Sequence, residues 1–465
     1  MFKLKENNTT VKTEFLAGLT TFMAMAYILF VNSGMFAELG VVSFNAIYIA
    51  TALSAIIGTV LIGLLANLPL AQASGMGLNA FFVYTVCMGF GFSYANALVL
   101  ILLEGLLFIL LSVTGLRKLI FEAIPKAVRV AIPAGIGLFI AFIGLQNAGI
   151  VVGDVSTKVN LVSMNLLKDG VTLASLFPIA ITCFSLILIA ALTAKNVKGS
   201  LLWGILGGSV LYYVLGYAFA AAGWMEFAGI SLSSANPLVA FKEFGELSFG
   251  KVFTEGFDFS AYVAAHGSTS LVLTIITTSL AFCMVDMFDT IGTLYGACSR
   301  GNLLTKDGDI PNMNQAMLAD AIATTTGAIC GTSTVTTYVE SSAGVAEGGK
   351  TGLTAMFTAL FFFIAMFFSP IASLIPGCAT AAALVYVGVL MMNCVKDIDW
   401  LSAESAVPAF LTLAMMPFTY NISYGIAFGM ISFVAIKLFS GKIKETNIGT
   451  WIVALLFAIM FFTTH

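Results

Sequence analysis

Asp286, Asp289 and Glu340 are the side chains best suited to chemistry, because they lie inside apolar sequence in a chain only 9% of whose residues are charged. An ionisable group at bilayer depth costs at least ~2.5 kcal/mol, so its default reading is functional. The first two sit in MVDMFDTIGTLYGA (284–297) and the third in GTSTVTTYVESSAGVAEGGKTG (331–352), both rich in Gly and Thr. On a helix, Asp286, Asp289, Thr293 and Gly296 follow at spacings of 3, 4 and 3 and share one stripe, polar and small enough for close packing. Desolvation favours the neutral form of a carboxyl, which suits a group that binds and releases a proton.

These residues need a membrane scaffold. With 59% hydrophobic residues, 40 Phe, a mean hydropathy of +1.02 and repeated apolar runs near 20 residues, the chain reads as an all-α polytopic membrane protein. Helices are expected at 14–33, 44–66, 76–90, 93–115, 128–148, 172–194, 198–222, 268–298, 313–330, 337–347, 351–373, 378–395, 405–418 and 421–440. Those after Ala71 and Thr332 are too short or too Gly-interrupted for plain spans. A last apolar stretch, 451–464, is short for a span and reads either as a tilted helix or as one lying at the interface. The first apolar stretch follows a Lys-bearing start and is too long for a signal peptide, so it counts as the first helix. The seven cysteines (Cys87, Cys183, Cys283, Cys298, Cys330, Cys378, Cys394) have no CxxC spacing and read as small hydrophobes, not as disulfides or metal ligands.

The distribution of basic residues tests this layout, since cytoplasmic loops hold an excess of Lys and Arg. With the amino terminus inside and fourteen crossings, Lys3, Lys5, Lys12, Arg117, Lys118, Lys126, Arg129, Lys195, Lys198, Arg300, Lys306, Lys350, Lys396, Lys437, Lys442 and Lys444 fall on the cytoplasmic side, sixteen of the 20. Lys158, Lys168, Lys242 and Lys251 fall in two longer outer loops, which also carry Asp154, Asp169, Glu226, Glu243, Glu246, Glu255 and Asp258.

An internal repeat joins two of the segments. Residues 71–115 and 331–373 each run through a small-residue stretch, a short helix and a long apolar helix, and in this alignment Asn79 falls opposite Glu340. Seven crossings per half give the copies opposite orientations, the pattern of transporters whose inverted repeats meet at a midplane site. Ser74, Gly75 and Gly77 disfavour helix and TSTVTT (332–337) favours an extended chain, so both segments should lead through non-helical backbone into half-helices. Such backbone is tolerated at membrane depth only where protein buries it or it lines a cavity. An amide at Asn79 and a carboxylate at Glu340, each in the first turn of a half-helix, suit the hydrogen-bonding edge of a flat heterocycle.

The runs TEFLAGLTTFMAMAYILFVN (13–32), ASGMGLNAFFVY (73–84), VDMFDTIGTLYG (285–296), TTYVESSAGVAEGGKTGLTA (336–355) and MMPFTYNISYGIAFG (415–429) resemble the AzgA-like purine permeases of the nucleobase–cation symporter-2 family. The resemblance covers essentially the whole chain. It implies fourteen segments in two inverted sets of seven, short strands in segments 3 and 10, a core domain (1–122 and 263–375) and a gate domain (123–262 and 376–465). It implies proton symport of a purine base by an elevator-like movement of the core, often in a homodimer, in the bacterial cytoplasmic membrane. No cofactor is expected beyond the proton as coupling ion, and no nucleic acid. Carried over by position, Asp286 and Glu340 match the family's substrate-contacting acids, Asn79 its segment-3 amide and Asp289 a second acid important for transport. Phe81 and Val339 complete the expected substrate-contacting set, and proton coupling falls on Glu340, Asp286 or Asp289. The Glu340-Ser341-Ser342 run departs from the ascorbate, xanthine and uracil branch and favours adenine, guanine and hypoxanthine.

Each residue also has a plainer reading. Glu340 can serve as a structural hydrogen-bonding partner, Asp289 can brace a half-helix, and Asn79 can satisfy a broken helix end. Glu104 and Asp320, each alone in apolar sequence, read better as structural. Phe81, Phe82 and Tyr338 can stack on a purine, yet most rings in such a chain pack in the core or face lipid. His266 sits at an outer boundary and His465 ends the chain, so neither suits a proton shuttle or a metal. The alternative function is an anion exchanger or channel on the same scaffold, which a carboxylate at Glu340 disfavours. An enzyme would need a nucleophile–base or metal constellation, and the sequence shows none. A P-loop is also missing, which argues against direct ATP drive.

Overall fold

The computed structural model describes residues 2–114, 123–167, 171–230, 236–305 and 309–463. The expected placements of Arg117, Lys118, Lys168, Asp169 and Lys306, the domain limit after residue 122, Thr464 at the end of the last apolar stretch and the terminal His465 lie outside these residues.

Ten of the described helices are long and apolar enough to cross a membrane, from Val11–Ala37 to Ile422–Phe439. Four further segments, shorter or less apolar, 72–89, Met313–Cys330, 335–346 and Ala403–Thr419, bring the described segments to the fourteen expected. The sequence reading missed several features. The first span is two helices, Val11–Met25 and Ile28–Ala37, with a turn at Ala26 and Tyr27. The helix expected at 337–347 begins only at Ser341, because Val335–Thr337 is committed to a strand. The helix expected at 76–90 is α-helical only over Met76–Ala80 and continues as a wider π-helix over Phe81–Gly89. A hairpin (Val151–Asp154 with Lys158–Leu161) and a helix (Pro237–Leu247) stand in the two longer loops, where the residues showed no sign of regular structure. The last stretch forms a helix, Ile448–Thr463, packed on Ile422–Phe439 and on Ser268–Arg300.

The helices associate in two groups. Lys126–Asn147 packs against Gly377–Met391 and Ala403–Thr419, which packs on Ile422–Phe439, while Leu173–Ala194 lies against Ser200–Ala221 and Gly377–Met391. In the other group, Phe44–Leu61 packs on Ile28–Ala37, Met313–Cys330 and Gly352–Ala365, and Met313–Cys330 packs on Tyr94–Thr114.

The two halves of the chain meet in one short sheet. Gln72–Ser74 pairs antiparallel with Val335–Thr337 in the register Gln72 to Thr337, Ala73 to Thr336 and Ser74 to Val335. The ladder extends by one bond at each end, Gly75 N–H to Thr334 O (2.9 Å) and Tyr338 N–H to Ala71 O (3.0 Å). Every residue of both strands is buried, so the Thr-rich run finds its ladder partners in the other repeat, and others in its own half, instead of in water.

Close crossings need glycine. At Gly352 an added Cβ would lie 2.0 Å from the carbonyl oxygen of Gly63, where helix Gly352–Ala365 meets the π-helical segment Ile62–Ala66. The obstruction is backbone, which cannot rotate away. Gly352→Ala is therefore expected to destabilise the protein by about 2 kcal/mol, read by denaturant unfolding in detergent. An unchanged midpoint would show that this crossing gives way.

Candidate functional site

The strand pair delivers its half-helices to one cavity of ≈ 80 Å³. Asp289 and Thr293 line it from helix Ser268–Arg300, and Thr336 to Glu340 from the second broken segment. Tyr27 closes it from the break in the first span, and Val387 and Met391 face it from helix Gly377–Met391, so both helix groups contribute walls. The Tyr27 hydroxyl donates to Glu340 Oε1 at 2.7 Å, and the Tyr338 hydroxyl donates to Ser74 O at 2.5 Å, bracing one broken segment against the other.

Among the membrane-depth acids, exposure separates two kinds. Glu340 and Asp289 are half-buried and line the cavity, and Val339, 53% exposed, lines it beside them. Asp286, Glu104 and Asp320 are fully buried and lie outside it. Asp286 lies one turn before Asp289 on the same helix and accepts from the Thr324 hydroxyl at 3.2 Å. Asp320 ties the two strands together: Oδ1 accepts from Gln72 Nε2 (2.7 Å) and Thr337 Oγ1 (3.3 Å), and Oδ2 from Thr290 Oγ1 (2.7 Å).

Two further residues singled out in the sequence also lie away from the cavity. Asn79 is fully buried, accepts from Ser74 Oγ at 2.7 Å and donates to Ser74 O at 3.4 Å, so its amide serves its own broken segment. Phe81 is fully buried against Phe282, with ring centroids 4.6 Å apart. The alignment of Asn79 with Glu340 is also corrected. One residue, Gly75, separates Ser74 from the first half-helix, whereas Tyr338, Val339 and Glu340 separate Thr337 from the second. Measured from the helix starts, the counterpart of Glu340 is Gly75.

Tyr27 was not singled out in the sequence. Its helix breaks without Gly or Pro, and only an isolated phenol in AMAYILF marks the place. A larger cavity of ≈ 650 Å³ lies elsewhere, lined by apolar side chains such as Phe22, Val210 and Phe361, and no charged residue lines it.

Half-helices capped by strands from two inverted halves, with acids where they cross, define a membrane transporter of the core-and-gate class. The fold is that of the transmembrane domain of the cyanobacterial bicarbonate transporter BicA (TM-score 0.60, 16% identity, 89% of this chain and 97% of that one). SLC26A9 shares it at a TM-score of 0.61 and 16% identity, with 94% of this chain and 66% of that chain covered.

Sequence comparison carries the assignment further. A family model described as "Permease family" matches residues 12–428, and the chain belongs to that family. It is 40% identical over 469 residues to the guanine/hypoxanthine permease PbuO of Bacillus subtilis, covering 99% of this chain and 100% of that one. It is 37% identical over 467 residues to the adenine permease AdeP of Escherichia coli, covering 100% and 96%. The resemblance to the purine-permease branch of the nucleobase–cation symporter-2 proteins is borne out, and the chain is a multi-pass membrane transporter rather than an enzyme.

Proposed function

We propose that this protein imports a purine nucleobase across the bacterial cytoplasmic membrane by proton symport. The observation that carries the reading is the pair of half-buried carboxylates, Asp289 and Glu340, on a cavity between the two helix groups. Purine N–H groups donate to these acids, Val339 and Met391 flank the ring, and Tyr27 orients Glu340 through its hydrogen bond. Asp286, buried one turn away from the ligand, carries the proton. The core, 1–122 and 263–375, then moves past the gate, 123–262 and 376–465, as one body within each subunit of a homodimer. With the amino terminus in the cytoplasm, one charge moving inward gains ~2.3 kcal/mol per 100 mV, enough for roughly fortyfold accumulation before any pH gradient is added.

An anion exchanger on the same scaffold would bring its substrate against two carboxylates, a like-charge contact that disfavours binding. Vesicles containing the wild-type protein separate the two readings. Labelled guanine, hypoxanthine or adenine should accumulate at least ~10-fold under an inward proton gradient and collapse with a protonophore. Bicarbonate or sulfate flux without competition by purines would replace the purine reading with the anion one.

A further inference from the structure

Glu104 stands in the middle of helix Tyr94–Thr114, fully buried and outside the cavity, yet it carries a charged group into an apolar bundle. Its Oε2 accepts from the Thr334 hydroxyl at 2.6 Å, while its Oε1 is buried with no hydrogen-bond partner. Asp286 shows the same asymmetry: Oδ2 accepts from Thr324, and Oδ1 is buried and unpartnered. Two half-satisfied buried carboxyls would be expensive to keep apart, since an unpaired buried polar atom costs ~1–3 kcal/mol.

Geometry brings the two together. Thr334 and Val335 are adjacent in the chain; the first donates to Glu104, and the second accepts at 3.0 Å from Thr324, the residue that donates to Asp286. The helices also meet where the Ser279 hydroxyl reaches Leu100 O at 3.4 Å, one turn before Glu104 and two turns before Asp286. The two half-satisfied carboxyls are thus held on either side of the Thr334–Val335 backbone, where helices Tyr94–Thr114 and Ser268–Arg300 pack together. The remaining ionisable neighbours are acids too, Asp289 on the same helix and Asp320 from Met313–Cys330. Among the described residues no Lys, Arg or His forms an ion pair with either carboxyl. With no cation to balance two charges, the compensating positive charge has to be a proton.

We infer that Glu104 and Asp286 share one proton between their two free oxygens, and that this pair is the seat of the coupling ion. One carboxyl donates O–H and the other accepts. Because the donors to the pair come from Thr324 and Thr334, and Thr334 belongs to the strand segment that ends at Glu340, loading the pair is mechanically linked to the shape of the cavity. Thr336, two residues on from Thr334 in the same run, lines the cavity and connects the two. The inference deepens the symport reading above and rests on it.

The test uses the full chain in proteoliposomes, with base binding and proton flux measured separately. Glu104→Gln, nearly isosteric, should bind guanine or hypoxanthine within about threefold of wild type, yet exchange it with less than ~10% of the wild-type proton movement and without accumulation. Glu104→Asp should restore part of the coupling. Proton-driven accumulation retained in Glu104→Gln overturns the inference, and so does loss of base binding, which would make Glu104 part of the binding framework. If Glu104→Gln does not fold, infrared spectroscopy of the wild type decides. The shared proton requires a buried protonated-carboxyl C=O band at neutral pH, and its absence overturns the pair. Failure of wild-type vesicles to move base with protons would instead strike the symport reading itself.

Discussion

Glu340→Gln lowers purine uptake by at least ~100-fold in vesicles that accumulate the base with the wild-type protein. A hydrogen bond to a charged group contributes ~1.5–3 kcal/mol, or roughly 10- to 150-fold. The change also places an NH₂ donor where the ligand presents N–H, so donor faces donor. The Tyr27 hydroxyl, 2.7 Å from Glu340 Oε1, loses a charged acceptor at the same time, which loosens the turn that closes the cavity. Asp289→Asn produces a loss of similar order, because Asp289 shares the cavity. Initial rates of labelled guanine and hypoxanthine uptake, with equilibrium binding on the purified variants, check both. Uptake within about threefold of wild type in either variant removes that acid from the site.

Glu14→Ala destabilises the protein by at least ~3 kcal/mol. Glu14 is fully buried on helix Val11–Met25 and reaches across to the start of helix Gly352–Ala365. Its carboxylate accepts from the backbone N–H groups of Lys350 (3.1 Å) and Thr354 (3.1 Å) and, more weakly, of Thr351 (3.4 Å). The hydroxyls of Thr351 (2.9 Å) and Thr354 (2.6 Å) complete the cage. The helix start is a natural anion site, with free N–H donors and the positive end of the dipole, and Glu14 supplies the anion from another helix. Truncation leaves several buried donors without a partner at ~1–3 kcal/mol each. Glu14→Gln, which keeps one accepting oxygen, falls between. Unfolding in detergent measures both, and a loss below ~1 kcal/mol for the alanine variant would remove the capping role.

Much of this was legible in the residues. The apolar runs gave the spans, and Gly75 with TSTVTT marked both chain breaks because neither suits a helix at those positions. The cavity walls were harder. Asp286 and Asp289 sit one turn apart on one stripe, and a rotation of the helix by a fraction of a turn decides which of them opens onto the cavity. That rotation is set by packing against other helices, including Tyr94–Thr114 and the Val335–Thr337 strand, which lie far away in the sequence. Asn79 looked like a ligand contact because its partner, Ser74, is only five residues away, and a local side-chain hydrogen bond leaves no trace in composition. Glu14 carries no sign of its role in the sequence, since its receptor begins 336 residues later at Lys350.

The small sheet that joins the two halves also sets an order of assembly. Gln72 and its partner Thr337 are 265 residues apart, so at ~5–20 residues per second roughly 13 to 53 s of synthesis separate them. During that interval Thr59 already holds the Gln72 backbone N–H (3.0 Å) and carbonyl (3.1 Å), but the Gly75 N–H and the Ala71 carbonyl wait in the bilayer for Thr334 and Tyr338 of the unmade half. Ligand-binding competence therefore arrives late and all at once, and a ribosome that stalls in the middle of the message leaves behind an open edge, the kind of lesion on which membrane quality control acts.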